Sequence, residues 1–558
     1  MHTHSATLHC LRILTLALMG FAGCADEPDA YRIRADRLYA PTPTGGAGAD
    51  IVSPEDTTAP DIAPDVPEIG RDDGVSDTVS DDVASPADTT APADTTPTIE
   101  TVDVSHAREF RAVWVATVWN INFPSRSGLS VSQLRTELQR LVDITAEAGL
   151  NAIVFQVRAE ADAFYASTIE PWSRFLTGTQ GRDPGLDPLA ELIVMAHAKN
   201  IEVHAWLNPY RAKTLLSSTL AANHIAAVVP EYAYTYGSLL WLDPGAVPVQ
   251  QRLLDVVADI VSRYDVDGIH FDDYFYPYPD GPFPDDATYQ AYSAAGGTLS
   301  RDDWRRDNVN RMVGAVHARV RDIDPTCRFG IAPFGIYRPG QPEGIRGLDQ
   351  YAAIFADPVR WMRDGHVDYI APQLYWPTTQ TQQAYEPLLR WWTEVQPGTM
   401  VLAGNYLSQL ATSDKWTINE FREQLRISRA WRSGQSLGNI WYQIKPLVDN
   451  QLGIRDIFGT EFYPTPALTP PMPTAQGIVV SLPDVSASKV GVETIIDIAH
   501  TTTHPVRAAV IYRENGNTWV VEGVLPAGST RWTSREAGPW AVTTVTRHGA
   551  ESRGVVVD

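Results

Sequence analysis

Eight times between residues 111 and 445 the chain passes from a short β-branched or aromatic run into a longer stretch, and that alternation leaves few folds open. The strand-like runs fall at 111–118, 151–158, 201–208, 267–273, 329–334, 367–376, 400–405 and 439–445. Helical periodicity lies between them at 134–148, 189–199, 248–264, 304–322 and 418–432. In number, order and length this is an α/β chain folding as a (β/α)8 TIM barrel over residues 106–464. A doubly wound open sheet would call for a glycine-rich phosphate turn after the first strand. Trp119-Asn-Ile-Asn-Phe-Pro124 stands there instead.

The flanks have other compositions. Pro466, Pro470, Pro471 and Pro473 mark a stiff linker at 465–475. Short alternating runs at 477–482, 490–498, 506–513, 518–524 and 540–547 then predict a small fibronectin-III-like β-sandwich over 476–558. At the other end, residues 1–23 hold an apolar run too short to span a bilayer and read as a signal peptide. The run closes on Phe21-Ala22-Gly23-Cys24, which resembles the bacterial lipobox and makes Cys24 the candidate acylated residue. Ala25 in place of Asp favours the outer membrane, by resemblance to enterobacterial sorting. Residues 24–105 are rich in Asp, Thr, Pro and Ala, too poor in apolar surface to offset chain entropy, and read as a disordered tether.

Net charge is -23, most of it in that tether. Such a balance excludes a nucleic-acid partner and a polybasic membrane patch, leaving the lipid anchor as the expected membrane contact. Of 3 cysteines only Cys327 lies in the folded body, so no intramolecular disulfide framework is expected there.

Barrel enzymes carry their chemistry at the C-terminal ends of the strands, and period-two alternation sorts axial from helix-facing side chains. In Asp267-Gly-Ile-His-Phe-Asp-Asp-Tyr-Phe-Tyr-Pro277, Ile269 and Phe271 take the helix side, which sends His270, Asp272 and Tyr274 to the axis. Asp273 has the opposite parity and joins Asp272 only if the strand ends or kinks between them. The second strand offers Gln156, Arg158 and Glu160, the third Trp206, Asn208, Tyr210 and Arg211. The sixth adds Gln373, Tyr375 and Trp376, and the eighth Trp441. Trp119 and Asn120 follow the first strand, whereas mid-strand Trp114 reads as packing. Carboxylates, amides and aromatic rings around one mouth suit sugars, whose hydroxyls want hydrogen-bond partners and whose C–H faces stack on rings. No His, Asp and Glu cluster has the spacing of a zinc site, and neither metal nor cofactor is called for. The acidic loop at 279–286 reads as solvated.

Five stretches, REFRAVWVATVWN at 108–120, FQVRAEAD at 155–162, HAWLNPYR at 204–211, GIHFDDYFYP at 268–277 and YIAPQLYW at 369–376, resemble the glycosyl-hydrolase-like family 10 barrels. The resemblance implies a glycosidase of the bacterial envelope, and a branch of that family acts on peptidoglycan glycan strands stripped of their peptides. The expected chemistry is hydrolysis by paired carboxyl groups, Asp272 as nucleophile or charge stabiliser and Glu160 or Asp273 as acid. The competing expectation is a non-catalytic, glycan-binding lipoprotein that tethers envelope layers.

Overall fold

Strands buried on both faces need nearly continuous apolar runs, and all eight runs form parallel strands. They are Phe110–Val115, Ala152–Arg158, Glu202–Leu207, Gly268–Phe271, Arg328–Ile331, Tyr369–Ile370, Met400–Asn405 and Ser436–Trp441. The computed structural model describes residues 99–106 and 108–558, and in it the eight strands close into a barrel in sequence order, the eighth pairing with the first. The signal peptide, Cys24 and the tether up to residue 98 lie outside the described residues. Phe110, Ala112 and Trp114 alternate into the barrel, where they meet Val154, Trp206, Tyr369 and Leu402. Val113, Val115, Ile153, Phe155 and Ile269 face the helices.

The helices start where their caps dictate. Ser130 and Gln133 form a capping box for Val131–Glu147, which buries Leu134, Leu138, Leu141 and Val142 along one face. Asp187 and Ser300 cap Pro188–His197 and Arg301–Ile323. The sixth strand is shorter than its run at 367–376, because Pro372 has no N–H to give the ladder. Beyond it the chain touches the neighbouring strand ends through isolated bridges of Gln373 with Phe334 and Gly404. The loop at 279–286 is solvated along most of its length, but Asp285 is fully buried and takes two hydrogen bonds from Arg305, at 2.7 and 2.6 Å.

After the linker come two antiparallel sheets. One has Asp484–Val490, Glu493–Ala499 and Arg531–Ser534; the other has Val506–Asn515, Thr518–Pro526, Trp540–Thr546 and Gly554–Val557. Ile496, Ile511, Trp540 and Val542 pack together in a core of this domain. Residues 477–482 form no strand, and the hairpin that turns at Gly491 replaces the expected single run at 490–498. Thr101–Val102, within the stretch read as tether, pairs antiparallel with Val555 and Gly554 as the edge of the larger sheet.

This domain docks on the N-terminal ends of the barrel strands. Asp267, just before the fourth strand, accepts from Arg507 Nη1 at 2.7 Å, from His197 Nε2 at 2.8 Å and from the Val203 amide at 2.8 Å. Arg547 pairs with Asp265, and Arg108 with Glu551 at 2.6 Å. Burial alone would lower the His197 pKa, but Asp265 and Asp267 overcome it and raise it to about 9. A histidine whose folded pKa is raised stabilises the fold fully below its unfolded value and loses that contribution as pH rises through about 9. Arg507→Met removes one of the charged partners of Asp267 and leaves His197 and Arg547, and urea titration at pH 7 is expected to show a loss of about 2 kcal/mol. The loss should grow above pH 9, where His197 is neutral as well.

Candidate active site

The fourth strand stops at Phe271, and that stop decides the site. Freed from strand parity, Asp272 and Asp273 both line a cleft at the C-terminal mouth of the barrel. Trp114, Trp206, Tyr274, Gln373, Tyr375, Tyr406 and Tyr442 wall it, with Ala332 between them. Tyr375 and Tyr406 stack at 4.5 Å between ring centroids, and Tyr442 tilts against both.

Both carboxyls are almost wholly buried. Asp272 Oδ2 accepts from Trp206 Nε1 at 3.2 Å and from Asn208 Nδ2, while its Oδ1 has no hydrogen-bond partner among the described residues. Asp273 Oδ2 accepts from the Tyr278 hydroxyl. Burial, and then the charge of Asp273, push the Asp272 pKa up to about 7. Burial pushes Asp273 up to about 6, against the hydrogen bonds of Tyr278 and Gln373. Near neutral pH the pair therefore holds about one proton, which belongs to the two carboxyls jointly.

A chain of amides aims Asn208. The Gln156 Oε1 accepts from the amides of Thr117 and Val118 at 2.8 and 2.9 Å, so its Nε2 turns to Asn208 Oδ1 at 2.6 Å. Arg211 Nη2 donates to the same oxygen at 2.8 Å, and with two donors on Oδ1 the Asn208 amide must present its nitrogen to Asp272. The Arg211 guanidinium also sits 5.4 Å over the Tyr274 ring.

Several expected residues lie elsewhere. Glu160 is held by Arg174 at 2.8 and 3.1 Å and by Thr214; burial would raise its pKa, but those partners lower it, so it stays ionised and is no proton donor. Arg158 spends its guanidinium on Glu170, at 2.7 and 2.6 Å, and on the Asn208 and Pro209 carbonyls. The ladder shifts register between Gln156 and Arg158, which is where period-two counting fails. Asn120 ties its loop to the Pro124 and Phe175 carbonyls, and Trp119 packs against the barrel–helix core. Tyr210 is fully buried outside the cleft, and Trp376 packs on Phe334 in the helix layer. Trp441 also faces that layer, donating to the Tyr463 hydroxyl at 3.0 Å, because Ile440 rather than Trp441 points into the barrel. His270 is axial but lies below the cleft, fully buried. Conversely Trp114, read as packing, lines the cleft, and Tyr278, Tyr406 and Tyr442 were not singled out. Parity from Ile440 would have found Tyr442. Among the described residues no group of three or more His, Cys, Asp or Glu could hold a metal ion.

A closed parallel barrel with a buried carboxyl pair in an aromatic mouth places the protein among the (β/α)8 glycosidases. The chain belongs to the glycosyl hydrolase-like 10 family, whose profile matches residues 109–415. It is 38% identical over 383 residues to the glycosyl hydrolase YngK of Bacillus subtilis (strain 168), covering 66% of this chain and 74% of that one. Over 311 residues it is 35% identical to the glycosyl hydrolase DigH of Escherichia coli (strain K12), covering 52% and 70%. Among solved structures, the PgaB (BpsB) glycoside hydrolase domain from Bordetella bronchiseptica is similar at 12% identity and a TM-score of 0.43, over 63% of this chain and 98% of that one.

Both aspartate pKa values lie above the unfolded value of about 4, so the folded state binds these protons more tightly than the unfolded chain does. Stability at this site is accordingly lost as pH rises from about 4 through about 7. Asp272→Asn removes the like-charge repulsion, and its Tm at pH 8 is expected to exceed that of the unaltered protein, with the difference vanishing near pH 4.

Proposed function

We propose that the protein hydrolyses glycosidic bonds of a cell-envelope polysaccharide, peptidoglycan glycan strands first among them, with Asp272 and Asp273 as the working carboxyl pair. The observation that carries this reading is the buried pair itself, which keeps one proton near neutral pH and leaves Asp272 Oδ1, beside the cleft, without a partner among the described residues. Hydrolysis through an oxocarbenium-like transition state needs an anion beside the anomeric carbon and a proton for the departing oxygen. As positive charge grows beside Asp272 Oδ1, the anion settles on that carboxyl, where Trp206 and Asn208 already donate to Oδ2. The proton is then left to Asp273 and passes to the leaving oxygen as the glycosidic C–O bond breaks; water supplies the new oxygen on the anomeric carbon and returns its proton to Asp273. The rings of Trp114, Trp206 and Tyr375 offer the C–H faces of a sugar something to lie on.

The substrate follows from the envelope context of the sequence, a lipobox-like Cys24 followed by a long acidic tether. Acylation at Cys24 would hold the enzyme at a membrane, the outer one on the reading of Ala25, with the barrel free to reach a glycan layer.

Products from naked peptidoglycan strands, intact sacculi, chitin oligomers and α-glucans test the substrate: soluble saccharides are expected from the naked strands, and cleavage of α-glucan alone would overturn the choice. Asp272→Asn and Asp273→Asn are each expected to cut kcat by about 100-fold or more. Activity should rise with pH through about 6 as the pair gives up its first proton and fall through about 7 as it gives up the second. Fractionation of cells carrying Cys24→Ser should find an active enzyme lost from the membrane fraction or held there with its signal peptide uncleaved; membrane retention with the signal peptide removed would refute the anchor.

A further inference from the structure

An unbroken run of polar groups threads the apolar interior of the barrel beneath the carboxyl pair. Trp114 Nε1 donates to His270 Nε2 at 3.2 Å, and His270 Nδ1 meets the Tyr369 hydroxyl at 2.9 Å. The same hydroxyl meets His204 Nδ1 at 2.9 Å, and His204 Nε2 meets Glu202 Oε2 at 3.2 Å. All five side chains are buried. Only one placement of hydrogens satisfies the whole run. An indole nitrogen can only donate, so His270 Nε2 accepts and its Nδ1 carries the proton. That N–H occupies the Tyr369 oxygen, whose own hydrogen goes to His204 Nδ1, and the remaining His204 Nε2–H ends on the Glu202 carboxylate.

Two glycines show that the interior is shaped around this run. A Cβ on Gly268 would stand 2.5 Å from His204 Nδ1, and one on Gly330 would stand 2.0 Å from the Tyr369 ring. Two strands thus give up side chains where the polar thread passes. At its lower end Glu202 also accepts from Thr469 of the interdomain linker at 2.6 Å. Burial would raise the Glu202 pKa, but the His204 hydrogen bond and the charges of Arg328 and Arg507 lower it to about 2. The run is therefore anchored on a permanent anion. Burial holds the His270 pKa well below its usual value, so the imidazole stays neutral and able to accept.

The consequence lies at the upper end. Trp114 lines the cleft beside Asp272, and its one polar atom is drawn down the barrel axis by His270. An indole N–H left unpaired in this burial costs about 1–3 kcal/mol, enough to turn the ring toward another acceptor. The same cleft holds such an acceptor, the unpartnered Asp272 Oδ1. We propose that Glu202, His204, Tyr369 and His270 are positioning residues that fix Trp114 as an apolar platform for the C–H face of the sugar beside Asp272, keeping its N–H away from the reacting carboxylate. The proposal rests on the glycosidase reading for its substrate contact and on the hydrogen-bond run for its positioning.

The test uses the full chain with 15N-labelled indoles, where Trp114→Phe identifies the Trp114 signal among those of the 16 tryptophans. Tyr369→Phe and His270→Leu should each shift that signal, and His270→Gln, which keeps an acceptor for the indole, should restore it. On naked peptidoglycan strands, Tyr369→Phe and Trp114→Phe should raise KM about tenfold, with kcat changed far less and the pH limbs unmoved. Adding the same strands to Asp272→Asn should move the Trp114 signal. A signal unmoved in both Tyr369→Phe and His270→Leu overturns the positioning role, and a fall in kcat at constant KM in Trp114→Phe overturns the platform. Should the unaltered enzyme release nothing from any glycan, the functional proposal fails, while the indole signals still decide the hydrogen-bond run.

Discussion

A carboxyl group taken out of water must find donors, lose its charge or be paired, and Asp272 combines the first two at the barrel mouth. Much of the surrounding polar structure follows from that one burial. Two side-chain donors meet Oδ2, and one of them, Asn208, is itself oriented by Gln156 and Arg211. Gln156 is in turn fixed by two backbone amides of the loop after the first strand. Each link leaves its amide only one satisfied orientation, so the donors facing Asp272 are set before any substrate arrives. Asp273 adds the like charge that, with burial, keeps a proton in the pair against the lowering charge of Arg211, while Arg158 is committed to Glu170.

The barrel was legible because its strands are buried on both faces and its helices on one, so the two periods differ and alternate cleanly along the chain. The caps Ser130, Asp187 and Ser300 sit at the helix starts for the reason sequence patterns find them, the unsatisfied amides of a first turn. Parity within strands reached Trp206, Asn208, Asp272, Tyr274, Gln373 and Tyr375, all in or against the cleft. It failed where strands stop or slip. Arg158 lies past a register shift and Glu160 in the loop beyond, so neither keeps the axial side assigned by counting. Trp441 and Tyr442 are adjacent amphipathic residues, and only the neighbour Ile440 tells which of them faces inward. Trp114 looked like packing because it stands mid-strand, and it is indeed buried, yet it lines the cleft together with Ala332.

The two ends of the barrel divide the labour of charge. At the base, Asp267, Asp265, His197, Arg507 and Arg547 join the second domain to the strand starts. There a raised histidine pKa accompanies a well-paired anion, and the ions serve cohesion. At the mouth the two carboxyls have raised pKa values and fewer donors, which is the electrostatic cost of keeping a reacting oxygen unpaired. Because the second domain and the Thr101–Val102 strand sit at the base, their packing and the chemistry lie at opposite ends of the strands.

Between those ends an apolar filling would be the simpler way to stabilise a barrel, since a buried polar network that loses one member is worse than no network. The interior nevertheless holds two histidines, a tyrosine and a glutamate, with glycines on two strands making room for them. Their donors and acceptors match one for one from Glu202 to Trp114, so the network escapes the penalty of partial satisfaction. What it gives the barrel that leucines would not is direction. A hydrophobic layer would support the Trp114 ring in several rotations of similar energy, whereas a terminal imidazole acceptor selects the rotation that sends the indole nitrogen down the axis. The base thereby acts on the mouth through fixed hydrogen placement: the anion of Glu202 sets the tautomer of His204, the hydroxyl of Tyr369 sets that of His270, and His270 sets the face that Trp114 turns to the cleft.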